Sequence, residues 1–366
     1  MKKVAVVFGT RPEAIKMCPL VNELKKRKRI NLSVIVSGQH RDMLDSVLYE
    51  FGVIPDADMD IMRDGQTLFD ITTAVMAGMK SLMEAQRPDI LLVHGDTTTA
   101  FAAALAAFYL KIPVAHIEAG LRSCDINSPF PEEFNRRAIS LVSKYHFAPT
   151  DTSRKNLLKD GVDDKNIFVV GNTVTDALKI TVKKNFSHPA LDFANDGELI
   201  FITAHRRENI GEPMEHIMRA VRSIAERFEN VRIVLPMHKN PAVRECVVNH
   251  LAECKRIFLT EPLGVFECHN IIARSKIILT DSGGIQEEAV SLGIPTLVLR
   301  SVTERTEGTR EGILKLVGCD EKRISDSFTE LFCDEEKYEK TAHAVSLYGD
   351  GGACRQIADI LEKITF

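Results

Sequence analysis

Short β-rich runs that alternate with helix-forming stretches predict an α/β protein of two doubly wound domains with an interdomain cleft. Three observations carry this. The first half places apolar runs at 4–8, 32–36, 90–93, 114–117, 145–148 and 167–169, and such alternation marks a parallel sheet covered by helices. The second half begins afresh at 199–203 and repeats the scheme at 232–235, 256–259, 277–279 and 296–299. Between the halves, 175–195 is helix-forming and polar and ends near the loop Ser187-His188-Pro189. The first domain is therefore expected at 1–172 and the second at 173–352. A last helix follows the Gly-rich turn at 348–352, and the segment 353–366 is expected to pack back on the first domain.

With 366 residues, 45% of them hydrophobic and 27% charged, the chain can bury two ordinary cores. A net charge of −4 leaves no electrostatic footprint for nucleic acid, and the basic run 25–29 reads as a helix C-terminus complementing its dipole. No apolar run is long enough to span a membrane. Met1-Lys2-Lys3 leads straight into a strand without a cleavage pattern, so a cytoplasmic protein is expected. The eight cysteines are scattered, with neither a C-x-x-C pair nor zinc spacing, as expected of reduced thiols.

In an open α/β sheet the ligand sits at the carboxyl ends of the strands, so the residues after each apolar run are the candidates. After 277–279, Ser282, Gly283 and Gly284 open a helix. Small residues there let backbone N–H groups and the positive end of the helix dipole approach a phosphate. Glu288 lies one turn further on, about 6 Å at roughly 1.5 Å per residue, where a carboxylate can accept both hydroxyls of a ribose. A helix N-cap followed by a solvated acidic face is the plainer reading.

After 4–8, Arg11 and Lys16 bracket a helix start at Pro12, and two fixed cations there suit a diphosphate. A surface pair of Arg11 with Glu13 is the alternative. Neither G-x-G-x-x-G nor the Walker pattern is present, so neither a dinucleotide nor ATP is signalled. Asp96 and Glu118 follow the third and fourth runs, and the loop 123–131 delivers Glu132 at another helix start. Three carboxylates converging on one cleft can divide acid, base and cation-stabilising roles if their pKa values are pushed apart. Asp96 as a helix cap and Glu132 as an acid satisfying the dipole compete with this. A metal at the i, i+2 pairs His94/Asp96 and His116/Glu118 would lack the wider ligand set of a two-metal site, so no metal is expected. In the second half, His205 opens a cationic turn where it can shuttle a proton, His238 follows the next run, and Arg305 follows the last.

These stretches resemble the non-hydrolysing UDP-N-acetylglucosamine 2-epimerases over nearly the whole chain. The resemblance rests on FGTRPEAIKM at 8–17, VHGDTTT at 93–99, EAGLRS at 118–123, SPFPEE at 128–133, HRREN at 205–209, LTDSGGIQEEA at 279–289 and YGDG at 348–351. It implies two Rossmann-like domains of the GT-B type and interconversion of UDP-N-acetylglucosamine with UDP-N-acetylmannosamine, supplying N-acetylmannosamine units for cell-surface polysaccharide. It implies Asp96, Glu118 and Glu132 as catalytic carboxylates, with His205 beside them. Arg11, Lys16, Ser282, Gly283, Gly284, Glu288 and Arg305 would bind UDP. Gln39, Gln66, Arg206 and His238 match the subsite at which bacterial relatives bind UDP-N-acetylglucosamine as an activator. No cofactor is implied, and a homodimer is usual in the resembling family. A hydrolysing relative that releases N-acetylmannosamine, an epimerase of another UDP-acetamido sugar, a GT-B glycosyltransferase and a non-catalytic UDP-sugar sensor are the other readings. Three carboxylates speak against the last two.

Overall fold

A computed structural model describes residues 1–39, 41–303, 305–342 and 346–365. The apolar runs of the first half become β1 (Lys2–Phe8), β2 (Ile30–Val36), β4 (Ile90–His94), β5 (Val114–Ile117), β6 (Tyr145–Ala148) and β7 (Ile167–Val169), with the two-residue β3 (Ala57–Asp58) added. Those of the second half become β8 (Glu198–Thr203), β9 (Val231–Pro236), β10 (Ile257–Thr260), β11 (Ile277–Thr280) and β12 (Thr296–Val298), with β13 (Leu314–Leu316) added. The first sheet runs β3-β2-β1-β4-β5-β6-β7 and the second β10-β9-β8-β11-β12-β13. Every described strand pair is parallel. Both sheets are thus doubly wound. The strand order reverses between β1 and β4 in one and between β8 and β11 in the other, and at such a point the loops after neighbouring strands part to leave a crevice.

The chain divides into two compact units, Met1–Ile180 with Tyr348–Phe366, and Thr181–Leu347. In the first, helix Thr98–Tyr109 carries Ala100, Ala102, Ala103, Ala104, Ala106 and Ala107, all buried in one cluster with Val7, Leu91 and Val93. A single methyl group per position lets that helix lie close to the sheet without side-chain entropy loss. Beside it, helix Leu68–Gln86 buries Ile71, Val75, Met79 and Met83 at a spacing of four, one stripe of a helical face. In the second unit, helix Glu212–Arg227 buries Met214, Ile217, Met218, Val221 and Ile224 against β8 and β9, each worth about 1.5–3 kcal/mol when removed from water.

Helix Ala353–Lys363 returns to the first unit. Its N-terminal N–H groups at Ala353 and Cys354 donate to the Asp176 carboxylate at 3.1 and 3.2 Å. Arg27 meets Asp359 at 2.6 Å, and Lys2 Nζ donates to the carbonyls of Leu361 and Glu362 at 2.9 Å each, satisfying acceptors that a helix C-terminus otherwise leaves open.

Candidate active site

In the first unit, the switch-point strands β1 and β4 run into Gly9-Thr10 and Gly95-Asp96, and Glu13 ties these two turns together. One of its oxygens accepts from Gly9 N at 3.0 Å, Thr10 N at 2.8 Å and Thr10 Oγ1 at 2.9 Å, and the other from Thr97 Oγ1 at 2.7 Å. Burial pushes the Glu13 carboxyl above its ordinary pKa, and these donors oppose that rise. The alternative pairing of Arg11 with Glu13 does not form. Glu13 faces inward, and Arg11, half-buried, makes no ion pair among the described residues.

Asp96 is not the helix cap. That role falls to Thr97, whose hydroxyl accepts from Ala100 N at 3.0 Å, leaving the Asp96 carboxylate to Arg136, which reaches it through Nε at 3.0 Å and through Nη2. Glu133, fully buried, holds that guanidinium at 3.1 Å and also accepts from Arg137 at 2.8 Å and Ser123 N at 3.0 Å. Glu132 is the first residue of helix Glu132–Val142, half-buried, and Arg136 stands one turn along the same side. The helix that presents Glu132 is therefore anchored to Asp96 through Arg136.

Glu118 sits after β5 with φ of 62°, in the left-handed region. A residue with a β-carbon is held there at a cost on the order of 1 kcal/mol or more, and such strain collects at functional sites. Two residues on, Gly120 has φ of 94°, and a β-carbon there would stand 2.3 Å from the Ser153 carbonyl oxygen, so only glycine turns the chain this tightly. The Glu118 carboxylate meets Lys16, accepts from Asn172 Nδ2 at 2.9 Å and lies 3.7 Å from His94 Nε2. His116 contacts the Gly95 carbonyl through Nε2 at 2.7 Å. Burial draws its pKa well below the ordinary value and draws that of His146, its neighbour across the β5–β6 ladder, down to about 4.

In the second unit, β8 ends at Thr203 and β11 at Thr280, and the following residues meet. Asp281, fully buried, accepts through Oδ2 from the backbone N–H of His205 and of Arg206 at 2.8 Å each and from Asn209 Nδ2 at 3.0 Å. The His205 ring stacks on His238 with centroids 5.2 Å apart and planes within 10°. Ser282 is the N-cap residue of helix Gly283–Leu292, yet its hydroxyl makes no capping bond. The first N–H groups of that helix are thus not taken by a side-chain cap. Arg305 lies over Gly283, gripped by Glu287 at 3.0 and 2.7 Å; a β-carbon on Gly283 would stand 2.9 Å from the guanidinium carbon. Glu288 is buried against His269 at 3.3 Å.

Of the residues expected to bind an activator, Gln39 and Gln66 belong to the first unit, where they accept from Thr99 Oγ1 and Arg63 N at 2.9 Å each. Arg206 and His238 belong to the second. The supporting residues Arg136, Asn172, Asp281 and Glu287 were not among the candidates. Asn172 and Asp281 lie just past the carboxyl ends of β7 and β11, so the rule that found Asp96 could have found them.

Fold and sites define a class: a two-domain Rossmann-like α/β protein with carboxylates beside one switch point and, at the other, a helix terminus without a side-chain cap beside an arginine. The chain belongs to the UDP-N-acetylglucosamine 2-epimerase family, whose sequence model matches residues 22–362. It is 52% identical over 359 residues to the UDP-N-acetylglucosamine 2-epimerase of Bacillus subtilis strain 168, covering 98% of this chain and 94% of the relative. With the enzyme of the same name from Escherichia coli K12 it shares 46% identity over 372 residues, 99% of this chain and 98% of the relative. The crystal structure of UDP-GlcNAc 2-epimerase from Neisseria meningitidis bound to UDP-GlcNAc matches with a TM-score of 0.93 at 45% identity, over 99% of this chain and all of that one.

Proposed function

We propose that this chain reversibly interconverts UDP-N-acetylglucosamine and UDP-N-acetylmannosamine without net hydrolysis. The observation that carries the reading is the pairing of Asp96 with Arg136 and of Glu118 with Lys16 and Asn172 at the ends of adjacent strands. Asp96 is not the cap of the helix that follows it, and this supports a role toward a ligand. The relative from Neisseria binds UDP-GlcNAc, which supports the substrate.

The hydrogen on carbon 2 of the sugar is not acidic, so direct deprotonation is a poor route. Breaking the anomeric C–O bond first sends its electron pair to UDP and leaves an oxocarbenium-like sugar. Loss of the carbon 2 proton from that cation then gives a 2-acetamido glycal. Return of a proton to the opposite face, with readdition of UDP at carbon 1, inverts the centre. In this scheme one of Asp96, Glu118 and Glu132 takes the proton and another steadies the developing cation. Arg11, Lys16, Arg305, and the helix opened by Ser282, Gly283 and Gly284 hold the diphosphate, with Glu288 on the ribose and His205 available for proton transfer.

Product analysis tests this. UDP-N-acetylmannosamine forming from UDP-N-acetylglucosamine supports it, whereas free N-acetylmannosamine plus UDP means the hydrolysing reaction. The reading carries a cytoplasmic homodimer, checked by light scattering. It also carries activation by UDP-N-acetylglucosamine through Gln39, Gln66, Arg206 and His238. A hyperbolic rate curve for the reverse substrate without added activator would count against that subsite. Among the described residues no helix is long and apolar enough to cross a membrane.

A further inference from the structure

The second unit contains two buried polar side chains, Thr181 and His269, that lead to Glu288 and that the scheme above leaves without a role. Thr181 Oγ1 lies 2.7 Å from His269 Nδ1, and the other ring nitrogen, Nε2, lies 3.3 Å from Oε1 of Glu288. Thr181, His269 and Glu288 are 0%, 1% and 5% exposed. Asn270, next to His269, clamps the arrangement. Its amide nitrogen donates to the carbonyls of Thr181 and Phe266 at 2.8 Å each, and its oxygen accepts from Lys183 N at 2.8 Å. The imidazole therefore has little room to turn. A carboxylate only accepts, so in a neutral ring a hydrogen bond to Glu288 needs the N–H on Nε2, and Nδ1 is then the acceptor for the threonine hydroxyl.

Glu288 completes the pattern. One of its oxygens faces the histidine, while the other, Oε2, is buried with no hydrogen-bond partner among the described residues. A buried carboxylate oxygen without a donor is costly, and proteins keep such atoms chiefly where a ligand or water supplies the donor. The carboxylate stands beside the helix-opening turn, with Oε1 3.9 Å from the β-carbon position of Gly284. A carboxylate fixed in one plane can accept from both hydroxyls of a ribose at once, whereas one free to rotate is ordered only when the ligand arrives.

We propose that Thr181 and His269 are positioning residues that orient Glu288, and that through it they set the site's preference for a ribonucleoside diphosphate over its 2′-deoxy counterpart. The proposal rests on Glu288 taking the ribose, as in the reading above. Removing the histidine contact frees the carboxylate to turn. The cost falls on a ligand that needs two aligned acceptors and largely spares one that offers a single hydroxyl.

Calorimetric titration of the full-length protein with UDP and with 2′-deoxy-UDP tests this, using the wild type, His269→Leu, His269→Gln and Thr181→Val. Wild type is expected to prefer UDP by about tenfold, the scale of one well-made hydrogen bond to a charged group. His269→Leu is expected to lose most of that ratio, chiefly through weaker UDP binding. His269→Gln, whose amide can donate to Glu288 from a similar place, is expected to restore it. Thr181→Val should lower the ratio part of the way, and it decides the matter with His269→Gln if the leucine variant does not fold. Equal weakening toward both nucleotides, or a wild-type ratio in Thr181→Val and His269→Leu, would overturn the proposal and leave the two side chains a packing feature. A wild type that binds UDP without preferring it would also overturn it, while the wider reading stands. A wild type that binds no UDP would overturn both.

Discussion

Asp281 holds His205 from two sides: one carboxylate oxygen accepts the histidine's backbone N–H at 2.8 Å, and the other lies 3.4 Å from ring Nδ1. The two residues follow β11 and β8, the strands at which the second sheet reverses its order, so the pair pins the loop that any ligand at that crevice meets. Replacing Asp281 by Leu removes the one oxygen that accepts from His205 N, Arg206 N and Asn209 Nδ2. Asp281→Leu is expected to lose at least about 2–3 kcal/mol in urea unfolding, because buried donors are left without an acceptor, and to lower kcat/KM at least tenfold. Wild-type stability and turnover together would remove Asp281 from its anchoring role.

The three carboxylates of the first unit make separate predictions. Asp96→Asn, Glu118→Gln and Glu132→Gln should each lower kcat by about 10²–10⁴, the usual weight of general acid–base catalysis, while UDP affinity measured by calorimetry stays within a few-fold of wild type. Any one of these variants with full activity would take that residue out of the reaction.

Acid should weaken the first unit through its buried histidines. Burial lowers the folded-state pKa of His146 from 6.5 to about 4 and moves that of His116 in the same direction. The unfolded chain accepts protons that the folded chain refuses. Stability from these groups is therefore complete above about pH 6.5 and falls as the pH drops towards 4, with about 3 kcal/mol lost through His146 alone. Urea midpoints between pH 7 and pH 4 will show it, and a His146→Leu variant should give a shallower slope over that window.

Gly283 separates binding from stability. A β-carbon would press on a guanidinium that Glu287 already holds, so Gly283→Ala should weaken UDP binding by roughly tenfold. Alanine also favours helix over glycine by up to about 1 kcal/mol, so the melting temperature should hold or rise. Unchanged affinity would argue that Arg305 and this turn do not hold the diphosphate.

Much of the fold was legible because its strands are buried on both faces and so read as unbroken apolar runs, as in Ile90–His94 and Ile277–Thr280. Two strands were not. Ala57–Asp58 is two residues at a sheet edge, and Leu314–Leu316 carries a lysine in its middle, so neither offers a run or an alternation long enough to detect. The positions of Asp96, Glu118 and the Ser282 turn followed from the strand-end rule. What holds them did not. Arg136 reaches Asp96 across 40 residues and Asn172 reaches Glu118 across 54, and side-chain pairings at that separation leave no local periodicity. The helix cap went to Thr97 rather than Asp96 because the hydroxyl one residue nearer the helix has the shorter reach to Ala100 N.

Elimination and readdition at the sugar leave a mark at carbon 2 that proton NMR of the protein with UDP-N-acetylglucosamine in heavy water reads. Carbon 2 must lose its hydrogen to the protein and regain one exchangeable with solvent. UDP-N-acetylmannosamine carrying deuterium at carbon 2 is expected, with the label also entering the recovered substrate as the reaction reverses. Epimerised product that keeps its original hydrogen at carbon 2 would contradict elimination and readdition.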